Sequence, residues 1–291
     1  MFSHRTDLAL EAAQLRQDGG EGALPPGVES RQRRTEGCPV TEIVITGPEG
    51  AEAVGKPEGR YLTLELSALL RRESDAFPRS AWAVARELRA ILPEGQDSSV
   101  LVVGLGNRLV TPDAVGPRAV DNTMVTRHLT RHDPEQFAPF RPVAAVAAGV
   151  LGTTGVESGE LVRALVRAIR PGAVIAVDAL AARSVHRLCS TVQLADTGII
   201  PGSGIGNARV ALNRQTLGVP VIAVGVPTVV DAATLAADLT GQEGEQELGR
   251  MLVTPKDIDV LVSDAAKVIG YGISLALQEG LEIEDVDLFL S

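Results

Sequence analysis

Two hydrophobic rhythms divide this chain. From residue 100 onward, short apolar runs at Val100–Val103, Val143–Ala148, Ala173–Val177 and Pro220–Val226 are separated by stretches with helical spacing. Such runs, bounded by turn signals, read as strands buried on both faces. Between them, Ser158–Ile169 puts Leu161, Val162, Leu165, Val166 and Ile169 on one face of a helix. Asp113–Arg131 and Asp231–Asp238 also read as helices, and Thr254-Pro255 opens a long final one through Ile258, Leu261, Val262, Ala265 and Ile273. Strand–helix alternation of this kind predicts an α/β fold, with helices on both faces of a mostly parallel central sheet in a three-layer α/β/α arrangement. Before residue 100 the rhythm changes. Thr41–Thr46 and Tyr61–Leu66 alternate apolar with polar residues, which predicts a small N-terminal β meander or hairpin at one edge of the sheet. Ser80–Leu92 reads as a helix capped by Ser80 and ended by Pro93, and Ser190–Ala195 as a further strand. Arg5–Leu15 reads as a short helix with Thr6 as its N-cap. Gln17–Gly37 and Leu239–Arg250 lack apolar periodicity and read as irregular connections, the first of them mobile.

The chemistry collects where two of the apolar runs end. After Val100–Val103 comes the turn Gly104-Leu105-Gly106-Asn107, then Thr111-Pro112-Asp113, which reads as a helix start with Asp113 in the first turn. The run Ala173–Val177 ends on Asp178. In open α/β sheets ligands gather outside the carboxyl ends of the strands, so parallel strands deliver both carboxylates to one edge. Two carboxylates brought close do not both ionise easily, and one retains a proton. One then activates water while the other protonates a leaving group or polarises a carbonyl, the logic of peptide hydrolysis without a metal. Plainer roles compete: a carboxylate in a helix's first turn is stabilised by free N–H groups, and one at a strand end braces a loop.

Other motifs point less far. Gly104-x-Gly106 resembles the start of a dinucleotide fingerprint, but Leu109 stands where its third glycine belongs, and Asp113 repels phosphate. The glycine-dense loop around Gly202 and Gly204 offers an anion nest or a tight turn and lacks the Lys-Ser/Thr of a P-loop. A metal reading would pair the aspartates with His128, His132 or His186, none of which closely follows a strand end. No serine lies in a G-x-S-x-G elbow.

Composition narrows the field. The 291 residues are 45% hydrophobic but only 3% aromatic, so the core is aliphatic. A net charge of −10 argues against direct contact with nucleic-acid phosphates. Two cysteines without metal-type spacing suit a reducing cytoplasm. No signal-peptide pattern and no long apolar run predict a membrane span.

Longer motifs carry a resemblance. RTDLALE (Arg5–Glu11), VVGLGN (Val102–Asn107), VTPDAVGP (Val110–Pro117), DALAARS (Asp178–Ser184), DTGIIPGSGIGN (Asp196–Asn207), GVPTVVDA (Gly225–Ala232) and VTPKDID (Val253–Asp259) resemble the germination proteases of bacterial spores. The resemblance implies an endopeptidase that degrades small acid-soluble spore proteins, made in the spore cytoplasm as a zymogen. It implies a homotetramer, a fold similar to that of hydrogenase maturation proteases, and no cofactor or metal. It also implies that Asp113 and Asp178 are the essential pair. The family's substrates are cut after an acidic residue and before an apolar–Ala–x–Glu run, a pattern repeated here by Asp7 and Leu8-Ala9-Leu10-Glu11. Self-cleavage between Asp7 and Leu8 is therefore expected. The chain divides into a propeptide (1–7), a partly mobile segment (8–37) and one α/β protease domain (38–291). Arg183 is a candidate partner for a substrate glutamate, and Gly202 and Gly204 are candidate substrate-binding positions. A metal-dependent peptidase of hydrogenase-maturation type and an inactive binding protein are the alternatives.

Overall fold

The computed structural model describes residues 6–18, 23–93, 99–203, 209–240, 248 and 251–291. The strands are β1 (Val28–Thr35), β2 (Cys38–Ile45), β3 (Gly59–Glu65), β4 (Val100–Leu105), β5 (Val143–Gly149), β6 (Ala173–Ala182), β7 (Thr191–Ala195), β8 (Val221–Asp231) and β9 (Leu252–Val253). They form a single sheet in the order β1-β2-β3-β7-β8-β6-β4-β5, with β9 pairing to β8. β8, β6, β4 and β5 run parallel to one another, and every residue of β4 is buried, as a strand covered on both faces requires. β7 is antiparallel to both β8 and β3, and joins this core to the N-terminal meander β1-β2-β3.

Alternation along the strands assigns two layers of helix. Val100, Val102, Ala173, Ile175 and Val177 pack with Ala81, Val84, Leu88, Val115 and Val262, from the helices Ala76–Arg89, Val115–Asp121 and Ile258–Leu277. Leu101, Val103, Val174 and Ala176 face Val162 and Val166 of the Ser158–Ile169 helix. The N-terminal helix Ala9–Asp18 buries Ala9, Leu10 and Ala13 against Ile43, Ile45 and Tyr61. The α/β/α layering expected from the apolar runs is thus the observed one. The Ile258–Leu277 helix is long and apolar enough to cross a membrane, but 72% of its most apolar window is buried inside the protein.

Several boundaries differ from the sequence expectation. Within Gln17–Gly37, Val28–Thr35 is strand, not irregular connection. Its side chains are almost all exposed, so no apolar pattern marks it. It is held by an eight-residue ladder to β2 and by Arg33, which pairs with the buried Glu87. The helix expected from Ser80 starts at Ala76. Pro78 then falls in the first turn, where its missing N–H costs nothing, and Ser80 lies inside the helix, buried. The expected helix Asp113–Arg131 is three pieces: a 3-10 turn (Thr111–Asp113) and the helices Val115–Asp121 and Arg127–His132. The break follows Asn122, where the Met124 N–H donates to Ser274 Oγ at 2.9 Å. The N-terminal helix begins at Ala9, and Thr6 is not its cap: its hydroxyl accepts from the Leu8 N–H and donates to Glu11. The final helix starts at Ile258, not Thr254, and a further helix, Ile283–Leu290, follows it.

The most consequential difference lies in β6. Asp178 does not end it. β4 pairs with β6 only as far as Gly104 opposite Val177, whereas β6 and β8 stay paired to Ala182 and Val230. Beyond Asp178 the two strands project as an arm, and residues 6–11 lie against it.

Candidate active site

The turn after β4 is built by close backbone approach. Gly106 has φ +102°, and a Cβ there would lie 2.1 Å from the Asp113 carbonyl oxygen. Gly104 and Gly116 touch: a Cβ on Gly104 would lie 2.2 Å from the Gly116 oxygen, and one on Gly116 2.4 Å from the Val177 oxygen. The start of the Val115–Asp121 helix therefore rests directly on β4 and β6, and that contact carries Asp113 to the side of Asp178. These glycines serve packing, not a nucleotide. Asp113 Oδ2 accepts the Asn107 N–H at 2.7 Å.

Asp178 shares its face of the sheet with Val174 and Ala176. In register it lies opposite Gly225 of β8, and Gly225 lies opposite Gln193 of β7. Asp178 and Gln193 thus flank a glycine, and the Leu180 side chain fills the space over it: a Cβ on Gly225 would lie 2.5 Å from Leu180. At about 4.8 Å per strand, roughly 10 Å separates their backbones. Both line a cavity of about 520 Å³ whose walls also include Asp7, Lys56, Asp113, Leu180 and Ser203.

The two aspartates differ in electrostatics. Burial pushes the Asp113 carboxyl up, opposed by the Asn107 N–H and by the charge of Arg209. Asp178 is pushed well above the ordinary carboxylate range, first by burial and then by the charge of Asp113; the Ala179 N–H, at 2.9 Å, opposes this, and Asp7 adds to it. Burial lowers Lys56, and the charge of Asp7 partly restores it.

The chain's own residues 7–11 start in the wall of this cavity, at Asp7, and continue beside it. Asp7 pairs with Ala181 of β6: its N–H donates to the Ala181 oxygen at 2.9 Å, and its Oδ2 accepts the Ala181 N–H at 2.9 Å. Its Oδ1 accepts the Ser203 hydroxyl at 2.8 Å. Leu8 is fully buried among Leu180, Ala182, Leu188 and Val230. Glu11, also buried, accepts the N–H groups of Arg183 at 2.7 Å and Ser184 at 3.0 Å.

Of the residues singled out in the sequence, Asp7, Asp113, Asp178 and Gly202 line one cavity, and Leu8 is buried beside it. Arg183 lies outside it and meets Glu11 through its backbone. Gly204 falls outside the described residues. His128, His132 and His186 do not line the cavity, and among the described residues no three His, Cys, Asp or Glu side chains are grouped to hold a metal ion. Sequence reasoning missed Lys56, Gln193 and Ser203. Gln193 carried a signal: a lone amide inside the buried run Thr191–Ala195 needs a partner.

Asp7, Asp113 and Asp178 line one cavity, and comparison with known proteins gives the class of the chain. The germination protease family profile matches residues 8–241. The chain is 42% identical to the germination protease of Caldanaerobacter subterraneus subsp. tengcongensis over 98% of both chains. It is 38% identical to that of Clostridium tetani over the full length of both, and 39% identical to that of Bacillus velezensis over 96% of this chain and 94% of the relative. The chain belongs to the germination protease family. It is a peptidase of spore germination.

Proposed function

We propose that this chain is an aspartic-type endopeptidase of small acid-soluble spore proteins, made as a zymogen that cuts itself between Asp7 and Leu8. One observation carries the reading: of the chain's own acid–Leu–Ala–x–Glu segment, Asp7 stands in the wall of the cavity that Asp113 and Asp178 line, and the residues after it are buried beside it. Asp178, the more strongly raised of the pair, holds the shared proton. Asp113, steadied by the Asn107 N–H, is the ionised partner and takes a proton from water. The water oxygen bonds to the scissile carbonyl carbon, the C–N bond breaks, and the Asp178 proton goes to the leaving nitrogen. The proton that Asp113 took from water then passes to Asp178, which restores the pair. The acid before the cut is received by the Ala181 N–H and the Ser203 hydroxyl, within reach of the Lys56 charge. The glutamate four residues after the cut is received by the Arg183 and Ser184 N–H groups, so the role of Arg183 runs through its backbone. The lack of a third grouped metal-binding side chain among the described residues favours this reading over a metal-dependent peptidase.

The same reading places the enzyme in the spore cytoplasm as a homotetramer, with no cofactor and no nucleic-acid partner of its own; light scattering of the purified protein tests the assembly. Asp113→Asn and Asp178→Asn are expected to abolish cleavage of a small acid-soluble spore protein with the fold intact. Intact-mass analysis of the wild type is expected to reveal a chain beginning at Leu8, absent from both variants. Full cleavage by either variant would sink the pair, and activity lost on chelation would favour the metal reading.

A further inference from the structure

Gln193 is buried two strands from Asp178, across Gly225, in the wall of the same cavity. Its amide is used at both ends. Nε2 donates to the carbonyl oxygen of Asp7 at 3.2 Å, and Oε1 accepts the Ala9 N–H at 2.8 Å. The carbonyl can only accept and the N–H can only donate, so one orientation of the amide satisfies both. The Asp7 carbonyl belongs to the bond that the preceding section reads as cut. We propose that Gln193 is a catalytic residue: it donates to the scissile carbonyl oxygen, where negative charge develops as water adds, and through the second bond it holds the residue two places later in register.

The geometry suits the task. A donor helps only if it meets the oxygen that becomes charged, in a site largely shut off from water, and does not have to reorganise when the charge appears. Gln193 is fixed by β7, by the two backbone bonds and by burial. It is also neutral, so it adds no charge against the proton held on Asp178. The bond at 3.2 Å is long for a ground state and leaves room to shorten as the oxygen gains charge.

The inference rests on cleavage after Asp7, and its test separates the two. The substrate is a synthetic peptide with the sequence of residues 5–12, cut in trans by wild type and variants produced as the processed chain beginning at Leu8, so that Asp7 does not occupy the site. Gln193→Glu keeps the size and the acceptor but puts an acceptor where the donor stood. Gln193→Met keeps the volume and removes both, and serves if the glutamate disturbs folding. Each variant is expected to lose about 10²–10³-fold in kcat, with KM changed only a few-fold. A residue that only stabilised the fold would leave kcat per folded molecule unchanged. A wild type that cuts the peptide at Asp–Leu, beside folded variants with unchanged kcat or a loss confined to KM, overturns the role of Gln193. A wild type that cuts spore proteins but leaves this bond whole overturns the docked-substrate reading beneath it.

Discussion

Asp113 sits on one 3-10 turn just outside the end of β4, half-buried, with Asn107 donating to it and Arg209 near enough to favour its charge. Asp178 sits inside β6, fully flanked by strand, with one neighbouring N–H and the unfavourable charges of Asp113 and Asp7. One cavity holds both, yet the turn offers its carboxylate a cation and an N–H, while the strand offers little but apolar wall. A carboxyl in the second setting keeps its proton where one in the first gives it up. In the proposed mechanism the division of labour between acid and base would follow from backbone placement: the carboxyl in the buried strand would be the acid, and the half-buried one on the turn the base.

The largest test of the contrast is removal of either carboxyl. General acid–base groups contribute about 10²–10⁴-fold each, and a pair acting as one unit loses nearly everything with either member. Asp113→Asn and Asp178→Asn are both expected to fall at least that far in kcat, measured with a spore-protein substrate. A variant that kept a tenth of the wild-type rate would show that its carboxyl is not needed.

Next is the contact that brings the turn to the strand. Gly116→Ala forces a Cβ to within 2.4 Å of the Val177 carbonyl oxygen and 2.3 Å of that of Leu105, neither of which can give way without moving a strand. Overpacking of this kind costs about 1–3 kcal/mol. The variant is expected to melt several degrees lower and to lose activity out of proportion to the unfolded fraction, because Asp113 moves with the helix start. Wild-type melting and activity would mean that the glycine contact does not position Asp113.

The strand environment also has a price in stability. The Asp178 carboxyl titrates higher in the folded chain than in the unfolded one. Between the ordinary aspartate value of about 3.9 and its raised native value, the folded state holds a proton that the unfolded state lacks, so stability falls as pH rises through that window. Asparagine carries no such charge. Asp178→Asn is therefore expected to melt higher than wild type at neutral pH, with the difference shrinking as the pH drops to about 4. Asp113→Asn should show a smaller version, since its carboxyl is less buried and better partnered. Equal melting of Asp178→Asn and wild type at every pH would contradict the strand's effect.

The same contrast explains what the sequence reveals. β4 and β6 are buried on both faces, so each is a continuous apolar run and stands out; β5 is as apolar, yet it lies at the sheet edge and is largely half-buried. β1 is an edge strand of exposed side chains, built from Arg, Gln and Glu; backbone pairing makes it, and no side-chain pattern reports that. The reading of Asp178 as a strand end follows from stopping at the first polar residue. β6 continues because β8 beside it runs on through Val229 and Val230, a fact carried by the partner strand. The two aspartates were legible through turn chemistry and motif. Lys56 and Ser203 were not, and the lone buried amide of Gln193 signalled a partner without naming it, because nothing local shows that residues 6–11 return across the molecule to meet β6 and β7.

The smallest expected effect decides the assignment of roles. Among the influences on Asp113, Arg209 ranks after burial and the Asn107 N–H, and it is itself paired with Glu157 at 2.8 Å. Arg209→Gln removes a charge that favours the ionised Asp113, so that carboxyl titrates higher still. If Asp113 is the base, it must be ionised to work, and the acidic limb of the kcat/KM profile moves to higher pH while the rate at the optimum changes less than about tenfold. If Asp113 were instead the acid, the same substitution would move the alkaline limb. Glu157→Gln controls for the broken ion pair: it leaves the Arg209 charge in place, so the acidic limb should stay or move slightly the other way. A shift of the alkaline limb in Arg209→Gln, with none in the control, would exchange the roles of the two aspartates and leave the pair itself intact.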